Sequence, residues 1–484
     1  MKIIKTDIIP VKLWYYNKIK NTLLSESYHN TNEKLDYESI AFFASTGFFF
    51  SDSTFFKNIK VVPPATNLQV GDNGQILSMN SYWEWYYNPI IRDVEEATEV
   101  FKMGFESNLF KTINGKKVIF PLSGGIDSRT IAAALPDGMP NLNTYSYEFE
   151  GGVKEVWYGK SIAKKKKFPF KAFTIPQGYL WNKIDEISKL VKYETEFTHS
   201  RQIAVLDEIE KLGEIFVLGH GGEIFIAPKV DKDISFEGLV DYLFNMFVKD
   251  EGLALGEKLW QVWGLKGKLK DYIKDNFALL LHKISIKEAN PRLRAFLYKY
   301  IAYRKNQVNI NIFERHNEIY LPFLNRDVLN GICNVHEDVL IDRKVQINYI
   351  KQKSPAIASI PWQNYYPLNL YNYEKFSKKT YLPKRALYAF KRVVNEKMRG
   401  KKLITRNWEN QLLGEENDKK LQSHLFSATL ESNIIPKDII KEVYENFKYK
   451  DSKANITPLS TLITITNFEK KLVKQPQLQK KAVA

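Results

Sequence analysis

The stretch that decides the fold runs from Val118 to Leu135 and reads VIFPLSGGIDSRTIAAAL. Its first five residues, VIFPL, are apolar and predict a buried strand, whereas its last eight, SRTIAAAL, predict a helix. The connection between strand and helix carries two glycines, an acid and two hydroxyls. A strand that ends this way delivers the connection to the carboxyl edge of a parallel sheet, where the ligand sites of α/β proteins lie.

Each residue type in this connection favours a phosphate-binding loop. Gly124 and Gly125 have no side chains, so backbone N–H groups can close around an anion near the positive end of the following helix. Ser123 and Ser128 add hydroxyl donors. Asp127 would repel a bare phosphate, so its presence indicates a divalent cation between acid and phosphate.

Strand-like and helical segments alternate on both sides of this stretch. The segments 94–113 (VEEATEVFKMGFESNLFKTI) and 153–167 (VKEVWYGKSIAKKKK) read as helices, and 142–149 (LNTYSYEF) and 213–219 (GEIFVLG) read as strands. This alternation predicts an α/β fold, with a parallel sheet flanked by helices.

Composition divides the chain into three blocks. Residues 1–95 are rich in aromatic residues and turns, with a hairpin signal GDNG at 71–74, and we expect their Phe and Tyr side chains to form core. Residues 96–370 hold the alternating segments, and residues 371–484 form a basic helical extension. Within that extension, residues 375–402 are strongly basic and are either a solvated helical face or the contact for an acidic partner.

Bulk properties limit the classes of function. The 484-residue chain has a formal net charge of +16, which favours anionic partners, and its single cysteine, Cys333, excludes an intrachain disulfide and a four-cysteine zinc site. Its most apolar window, residues 40–50, is shorter than the roughly 20 residues of a membrane span, and the first residues do not resemble a signal peptide. We therefore expect a soluble, cytoplasmic protein with no membrane partner.

The loop has a specific resemblance. It lacks the Lys and the spacing of a Walker A motif, and instead resembles the S-G-G-x-D-S pyrophosphate loop of the ATP pyrophosphatases, which activate a substrate as an adenylate. The resemblance implies a PP-loop, adenine nucleotide alpha hydrolase-like fold. It also implies that ATP is bound by the consecutive residues Leu122, Ser123, Gly124, Gly125, Ile126, Asp127 and Ser128.

A second element narrows the resemblance to the asparagine synthetase family. The segment EIFVLGHGGEIF (214–225) resembles the family's G-x-G-x-D element, whose acid binds the same magnesium ion. The resemblance implies nucleotide contacts at Gly219, His220 and Gly221, and Mg²⁺ held by Asp127 and Glu223. Glu223 replaces the family's Asp, which keeps the carboxylate and lengthens its reach by one methylene.

A third element, NEIYLPFLNRDVL (317–329), resembles the family's E-x-R-x-P-F-L-D signature. The resemblance implies that Glu318 lies in the acceptor site and assists attack by the amine. Tyr320 and Asn325 replace the signature's Arg and Asp, which suggests an acceptor other than aspartate. A weaker match in YEFEGGVKEVWYGKSIAKK (147–165) aligns Glu155 with an acid of the family.

The usual glutaminase is missing. Full asparagine synthetases begin with a cysteine, but residue 2 is Lys2, and residues 1–95 resemble only the far half of the glutaminase domain, so we interpret them as a degenerate remnant. Without that thiol the usual route of glutamine hydrolysis is closed. The chain thus resembles family members without glutaminase activity, such as β-lactam synthetases and lasso-peptide cyclases.

Those relatives use a Tyr upstream of the acceptor-site Glu and a Lys downstream of it. The tyrosine candidates are Tyr298, Tyr300 and Tyr303, and the lysine candidates are Lys378 and Lys379. We name Tyr303 and Lys379 as the candidate catalytic pair, but the sequence does not decide among the members of either group.

The function implied is an AMP-forming, ATP-dependent carbon–nitrogen ligase. Its partners would be ATP and a carboxylate-bearing substrate, with ammonia or a substrate amine as nucleophile. Two alternatives remain: an RNA-modifying ATP pyrophosphatase of the tRNA lysidine synthetase type, and a non-catalytic nucleotide-binding pseudoenzyme. The sequence also leaves a homodimer open.

Overall fold

The computed structural model describes residues 1–24, 33–226, 230–387, 390, 403–426 and 434–481. Six cations of the predicted acidic-partner contact lie outside the described residues: Lys391, Arg392, Lys397, Arg399, Lys401 and Lys402. No helix within the described ranges combines the length and the apolar character that a membrane crossing requires.

The N-terminal block contains two small antiparallel sheets and one helix. The strands are β1 (Lys2–Lys5), β2 (Tyr15–Asn17), β3 (Thr22–Leu23), β4 (Ile59–Val61), β5 (Thr66–Val70) and β6 (Ile76–Ser81), in the orders β1-β5-β6 and β3-β2-β4. The predicted GDNG hairpin is confirmed, because it joins β5 to β6. Helix α1 (Tyr37–Thr46) is capped by Asp36, whose side chain accepts from the Ser39 N–H, and ends at Gly47 in the left-handed region.

The predicted parallel sheet is confirmed. It contains β7 (Val118–Pro121), β8 (Leu142–Phe149), β9 (Phe170–Ile175), β10 (Ile215–Val217) and β11 (Glu318–Tyr320), in the order β11-β10-β7-β8-β9 with every pair parallel. Strands β8 and β9 extend to one side of β7, whereas β10 and β11 lie on its other side. The chain therefore reverses direction across the sheet at the β7–β10 boundary, and such switch points open a crevice at the carboxyl ends of the strands.

Helices flank this sheet and continue to the end of the described chain. Between residues 94 and 310 these helices are α2 (Val94–Ile113), α3 (Ile126–Ala134), α4 (Val156–Lys166), α5 (Leu180–Leu190), α6 (Leu206–Ile209), α7 (Phe236–Phe247), α8 (Asp250–Val262), α9 (Leu269–His282), α10 (Ala289–Phe296), α11 (Ala302–Lys305) and α12 (Gln307–Ile310). Those that follow are α13 (Arg326–Cys333), α14 (Glu337–Leu340), α15 (Lys344–Lys353), α16 (Pro355–Ala358), α17 (Asn407–Leu412), α18 (Glu415–Phe426), α19 (Lys437–Glu445) and α20 (Ile456–Lys481).

The aromatic residues of the N-terminal block are core, as predicted. Phe43, Phe49 and Phe55 are fully buried, and the ring of Phe55 stacks on Phe468 of α20 with centroids 3.7 Å apart. The last helix therefore packs into the first block instead of lying on the surface as an extension. Each ring of this size removes 150–250 Å² of apolar surface from water, so this contact is a substantial part of the fold's stability.

Candidate functional site

The loop after β7 is held in shape by its own hydroxyls. The Oγ atoms of Ser123 and Ser128 lie 3.0 Å apart, and the Gly125 N–H donates to the Ser123 Oγ over 3.2 Å. Gly125 is the N-cap of α3 in extended conformation, without a side chain to satisfy the first turn. The N–H groups of Ile126 and Asp127 have no acceptor among the described residues, so they remain available to an anion.

Gly124 and Gly125 are glycines for different reasons. A Cβ on Gly124 would lie 2.7 Å from the Gln363 Oε1 and 2.8 Å from the Tyr158 Cγ, so these two side chains cover that part of the loop. A Cβ on Gly125 would meet only the Ser123 Oγ, at 3.3 Å. The open side of the loop is therefore at Gly125, next to the start of α3.

A buried arginine in α3 fixes the segment that covers the loop. Arg129 is fully buried and donates to the backbone carbonyls of Ile357, Ile360 and Pro361, the second of these over 2.8 Å. Desolvation lowers the pKa of Arg129 to about 10. These bonds fix the segment that leads into Gln363 relative to the helix that begins at the loop.

The second predicted element lies directly beside the first. After β10 the chain turns through Gly221, whose φ of +90° favours glycine, into a short 3₁₀ turn, Gly222–Phe225. A Cβ on Gly222 would lie 2.1 Å from the Asp127 Oδ1. The structure therefore packs the two loops so closely that only glycine fits at position 222.

Asp127 and Glu223 face one cleft of about 450 Å³. The Glu223 Oε2 accepts from the Gly221 N–H over 3.1 Å, and the side chain opens to the solvent of the cleft although protein atoms surround it closely. Desolvation, followed by the charge of Asp127, raises the pKa of Glu223. The charge of Asp127 thus opposes ionisation of Glu223 in the cleft.

Arg343 partly neutralises the charge of Asp127 and Glu223. The Asp127 Oδ1 accepts hydrogen bonds from the Arg343 Nη1 and, over 3.0 Å, from the Gln346 Nε2. Arg343 and the preceding Asp342 both have left-handed backbone conformations, with φ of 60° and 56°. Strained residues of this kind cluster at binding sites, and no local sequence signal pointed to this arginine.

The carboxylates fit a magnesium ion. The Asp127 Oδ2 accepts no hydrogen bond from any described residue. Mg²⁺ is usually held by one or two carboxylates together with phosphate oxygens and water, which is the donor set available here. Asp127 and Glu223 are the residues that would hold such an ion, and its binding stays a prediction.

Glu318 is not brought to this cleft, which corrects its predicted place. It is the first residue of β11 and pairs with Ile215, the first residue of β10, so it lies at the amino edge of the sheet. Its carboxylate is exposed and forms an ion pair with the Lys116 Nζ over 2.5 Å. The loop lies beyond the opposite ends of these strands, and Glu318 therefore cannot assist chemistry there.

The rest of the third element supports the second loop. A Cβ on Gly221 would lie 2.4 Å from the Leu324 Cδ2, so Leu324 packs directly against the turn that carries Glu223. Asn325 caps α13, with its side chain accepting from the N–H groups of Asp327 and Val328 over 3.0 Å each. The Asp-to-Asn departure from the family signature thus lies at a helix cap.

Tyr303 is also structural. Its hydroxyl donates to the Ser51 carbonyl over 2.8 Å, and with Tyr300 it lines a separate cavity of about 720 Å³ between the N-terminal block and α9. Tyr298 lies closer to the acids: burial and then the charge of Glu223 raise its pKa well above the ordinary value, and its buried hydroxyl has no partner among the described residues. Tyr298 and Tyr303 both line a small pocket with His220 and Glu223, and none of the three candidate tyrosines lines the cleft itself.

The two candidate lysines lie on the surface. Lys378 and Lys379 are exposed and follow a 3₁₀ turn, Tyr373–Ser377, and neither lines the cleft. Lys379 therefore has no place in the site as the structure describes it.

His220 lies between the loops as a neutral imidazole. Desolvation, assisted by the charge of Arg201, lowers the pKa of His220 to about 4. Its buried Nδ1 has no hydrogen-bond partner in the described part of the chain. The ring can therefore accept or donate one hydrogen bond at neutral pH without adding charge to the cleft.

Several residues complete the cleft wall opposite the acids. Arg201 donates from Nε to the Tyr147 hydroxyl over 2.5 Å, and the Tyr145 hydroxyl donates to the Gln202 Oε1 over 2.6 Å. Glu155, which matched the family only weakly, also lines the cleft, and desolvation raises its pKa. Arg201 and Gln202 belong to a short 3₁₀ segment with no sequence motif, so no local pattern indicated them.

Comparison with known proteins adds no further identification. No protein-family model matches the chain, and no curated protein matches it significantly. The function is therefore inferred from the groups that the fold brings together in the cleft.

Proposed function

We propose that this protein is an ATP-dependent, AMP-forming ligase of the asparagine synthetase type, built on a PP-loop ATP pyrophosphatase fold. It would activate a substrate carboxylate as an acyl-adenylate and transfer the acyl group to ammonia or to a substrate amine. Residues 1–95 would be the remnant of a glutaminase domain.

One observation carries this proposal: two acids from adjacent loops meet over a loop of free backbone donors at the switch point of the sheet. Asp127 lies at the start of α3 and Glu223 follows β10, and both line the same cleft. A Walker-type site would need a lysine in the loop, and this loop has none. The combination suits a triphosphate whose pyrophosphate end is held by N–H groups and a divalent cation.

In the proposed reaction, an oxygen of the substrate carboxylate forms a bond to the α-phosphorus, and the bond between that phosphorus and the bridging oxygen breaks. The Ile126 and Asp127 N–H groups and the Ser123 hydroxyl bind the departing pyrophosphate. Bound Mg²⁺ would neutralise the charge that accumulates on this leaving group. The amine nitrogen then bonds to the acyl carbon, the bond from that carbon to the phosphate oxygen breaks so that AMP leaves, and the nitrogen releases its proton to water.

Arg343 could place a guanidinium on the same phosphates, because it already lies against Asp127. Its planar donors suit phosphate oxygens better than a lysine ammonium would. Glu318, Tyr303 and Lys379 have no task in this scheme, since none of them reaches the cleft.

A second candidate function is a nucleotide-binding protein without catalysis. The observation that favours it is the ion pair between Arg343 and Asp127, which supplies a resident positive charge where the proposed enzyme needs a metal ion. The two functions differ in whether the α–β bond of ATP is cleaved.

The deciding experiment follows AMP and pyrophosphate from ATP labelled at the α-phosphate, with Mg²⁺ and a panel of carboxylates and amines. We expect both products to appear together and to fall at least 10²-fold in Asp127→Asn, because the cation that neutralises the leaving-group charge would lose a carboxylate ligand. Asp275→Asn is the matched control, since Asp275 is exposed on α9 and has no role in the cleft. ATP binding without AMP would favour the non-catalytic protein, and ADP would reject adenylation.

A further inference from the structure

A second cavity adjoins the cleft. It has a volume of about 590 Å³, and its walls share Tyr147, Glu155 and Arg201 with the cleft, so the two spaces meet at these three residues. We call it the side chamber. Its volume is within the range of small-molecule binding sites.

The side chamber has an aromatic wall. Phe48 of the N-terminal block and Phe247 of α7 pack edge to face, with centroids 5.7 Å apart, and Phe149 and Trp408 also line it. These residues come from four distant parts of the chain, so the chamber exists only in the complete fold. A wall of this kind binds the apolar portion of a ligand.

Positive charge predominates in the side chamber. Arg201, Lys249, Lys305 and Arg406 line it, against the carboxylates of Glu155 and Glu196. Glu196 is already engaged, because it accepts from the Thr198 N–H over 2.5 Å and from the Ser460 hydroxyl over 2.7 Å. Desolvation, and then the charge of the neighbouring Lys249, lowers the pKa of Lys305.

Arg201 keeps donors available where the chamber meets the cleft. The Nε of Arg201 is bonded to Tyr147, and its two terminal nitrogens donate to no described side chain. A ligand oxygen at this junction would supply the missing acceptor.

We propose that the side chamber binds the carboxylate substrate, and that this substrate is an organic acid with an aromatic or apolar body and a second anionic group. The inference rests on the proposed function, because it takes the cleft as the ATP site. Arg201 holds the carboxylate to be activated at the junction of the two spaces. Lys249, Lys305 and Arg406 bind the second anionic group, while Phe48 and Phe247 contact the body.

The test is calorimetric titration of the full chain with three probes that differ in charge: phenylsuccinate, 4-phenylbutyrate and 4-phenylbutyramide. We expect affinity to decrease in that order, with the dianion at least tenfold tighter than the amide. Lys305→Met should weaken phenylsuccinate about fivefold, the effect of one partly screened ion pair, and leave the amide unchanged. Lys249→Met should act in the same direction, and Lys266→Met, at an exposed lysine outside the chamber, should have no effect.

Equal affinity for the three probes, or no binding of phenylsuccinate, would overturn the proposal. So would a tenfold loss of phenylsuccinate affinity at saturating AMP, since the chamber would then be the nucleoside pocket. The Asp127→Asn variant distinguishes the acid-binding chamber from the proposed ligase, because we expect it to bind phenylsuccinate as the wild type does. If the wild type binds the probes in the expected order yet forms no AMP, the proposed ligase fails while the acid-binding chamber stands.

Discussion

Replacement of Gly222 by alanine gives the sharpest test of how the two loops are joined. The added Cβ would lie 2.1 Å from the Asp127 Oδ1 and 2.4 Å from the Asp127 Cγ, whereas ordinary contacts begin near 3.4 Å. The carboxylate must therefore move by more than about 1 Å, which breaks its 3.0 Å hydrogen bond from Gln346. The backbone itself offers no obstacle, because φ at this glycine lies outside the left-handed region.

Two magnitudes follow from this displacement. Overpacking of this kind costs about 1–3 kcal/mol, which we expect as a lower thermal midpoint. A shift of about 1 Å in a reacting group costs on the order of 10² in rate, which we expect as the loss of ATP–pyrophosphate exchange. Gly331→Ala is the matched control, because this helical glycine would meet only the end of Val100, at 3.2 Å.

The same substitution in Asp127→Ala protein tests whether the Asp127 carboxylate causes these losses. In Asp127→Ala protein the closest remaining atom of residue 127 would be its Cβ, at 2.9 Å, so Gly222→Ala should cost less there than in the wild type. Exchange should not fall further, since the carboxylate is already gone. If Gly222→Ala matches the wild type in both midpoint and exchange, the packing of the two loops described above is wrong.

Three further predictions concern single charges. Arg343→Met removes the cation paired with Asp127, so we expect Mn²⁺, titrated calorimetrically without nucleotide, to bind about tenfold more tightly; unchanged binding would show that the two acids do not share a metal ion. Glu318→Gln should leave AMP formation within twofold of the wild type, and a large loss would return Glu318 to the site. Burial lowers the pKa of His424 to about 3, so the unfolded chain takes up a proton at a higher pH than the folded chain does. The free energy of unfolding should therefore decrease as the pH falls below 6.5, by about 2 kcal/mol at pH 5. His424→Met should show a smaller decrease of thermal midpoint between pH 7 and pH 5.

Local pattern predicted the elements around the loop well. The helix expected at 94–113 and the strand expected at 142–149 have the bounds that the structure shows, because each is long and its apolar period is clear. Strand β9 follows a run of lysines and has no comparable signal, and it was not predicted. The meeting of Asp127 with Glu223 was predicted because each acid follows its own strand within a recognisable loop.

What the sequence could not predict depends on pairing between distant residues. The predicted place of Glu318 was wrong because its motif is local, whereas the strand pairing that decides its place is not. The pairing with Ile215 puts Glu318 at the amino edge of the sheet. Arg343 reaches Asp127 from 216 positions away, and Gln363 covers Gly124 through a segment fixed by Arg129. No single-sequence pattern reports such contacts, because they arise only when separate elements pack.

The stacking of Phe468 on Phe55 has a consequence for biosynthesis. The aromatic rings of the first block cannot be fully covered until α20 has been synthesised, so a nascent chain carries an exposed aromatic surface while the residues between the two are translated. A chaperone that holds emerging chains would be expected to dwell on the first block and to depart only after α20 has emerged.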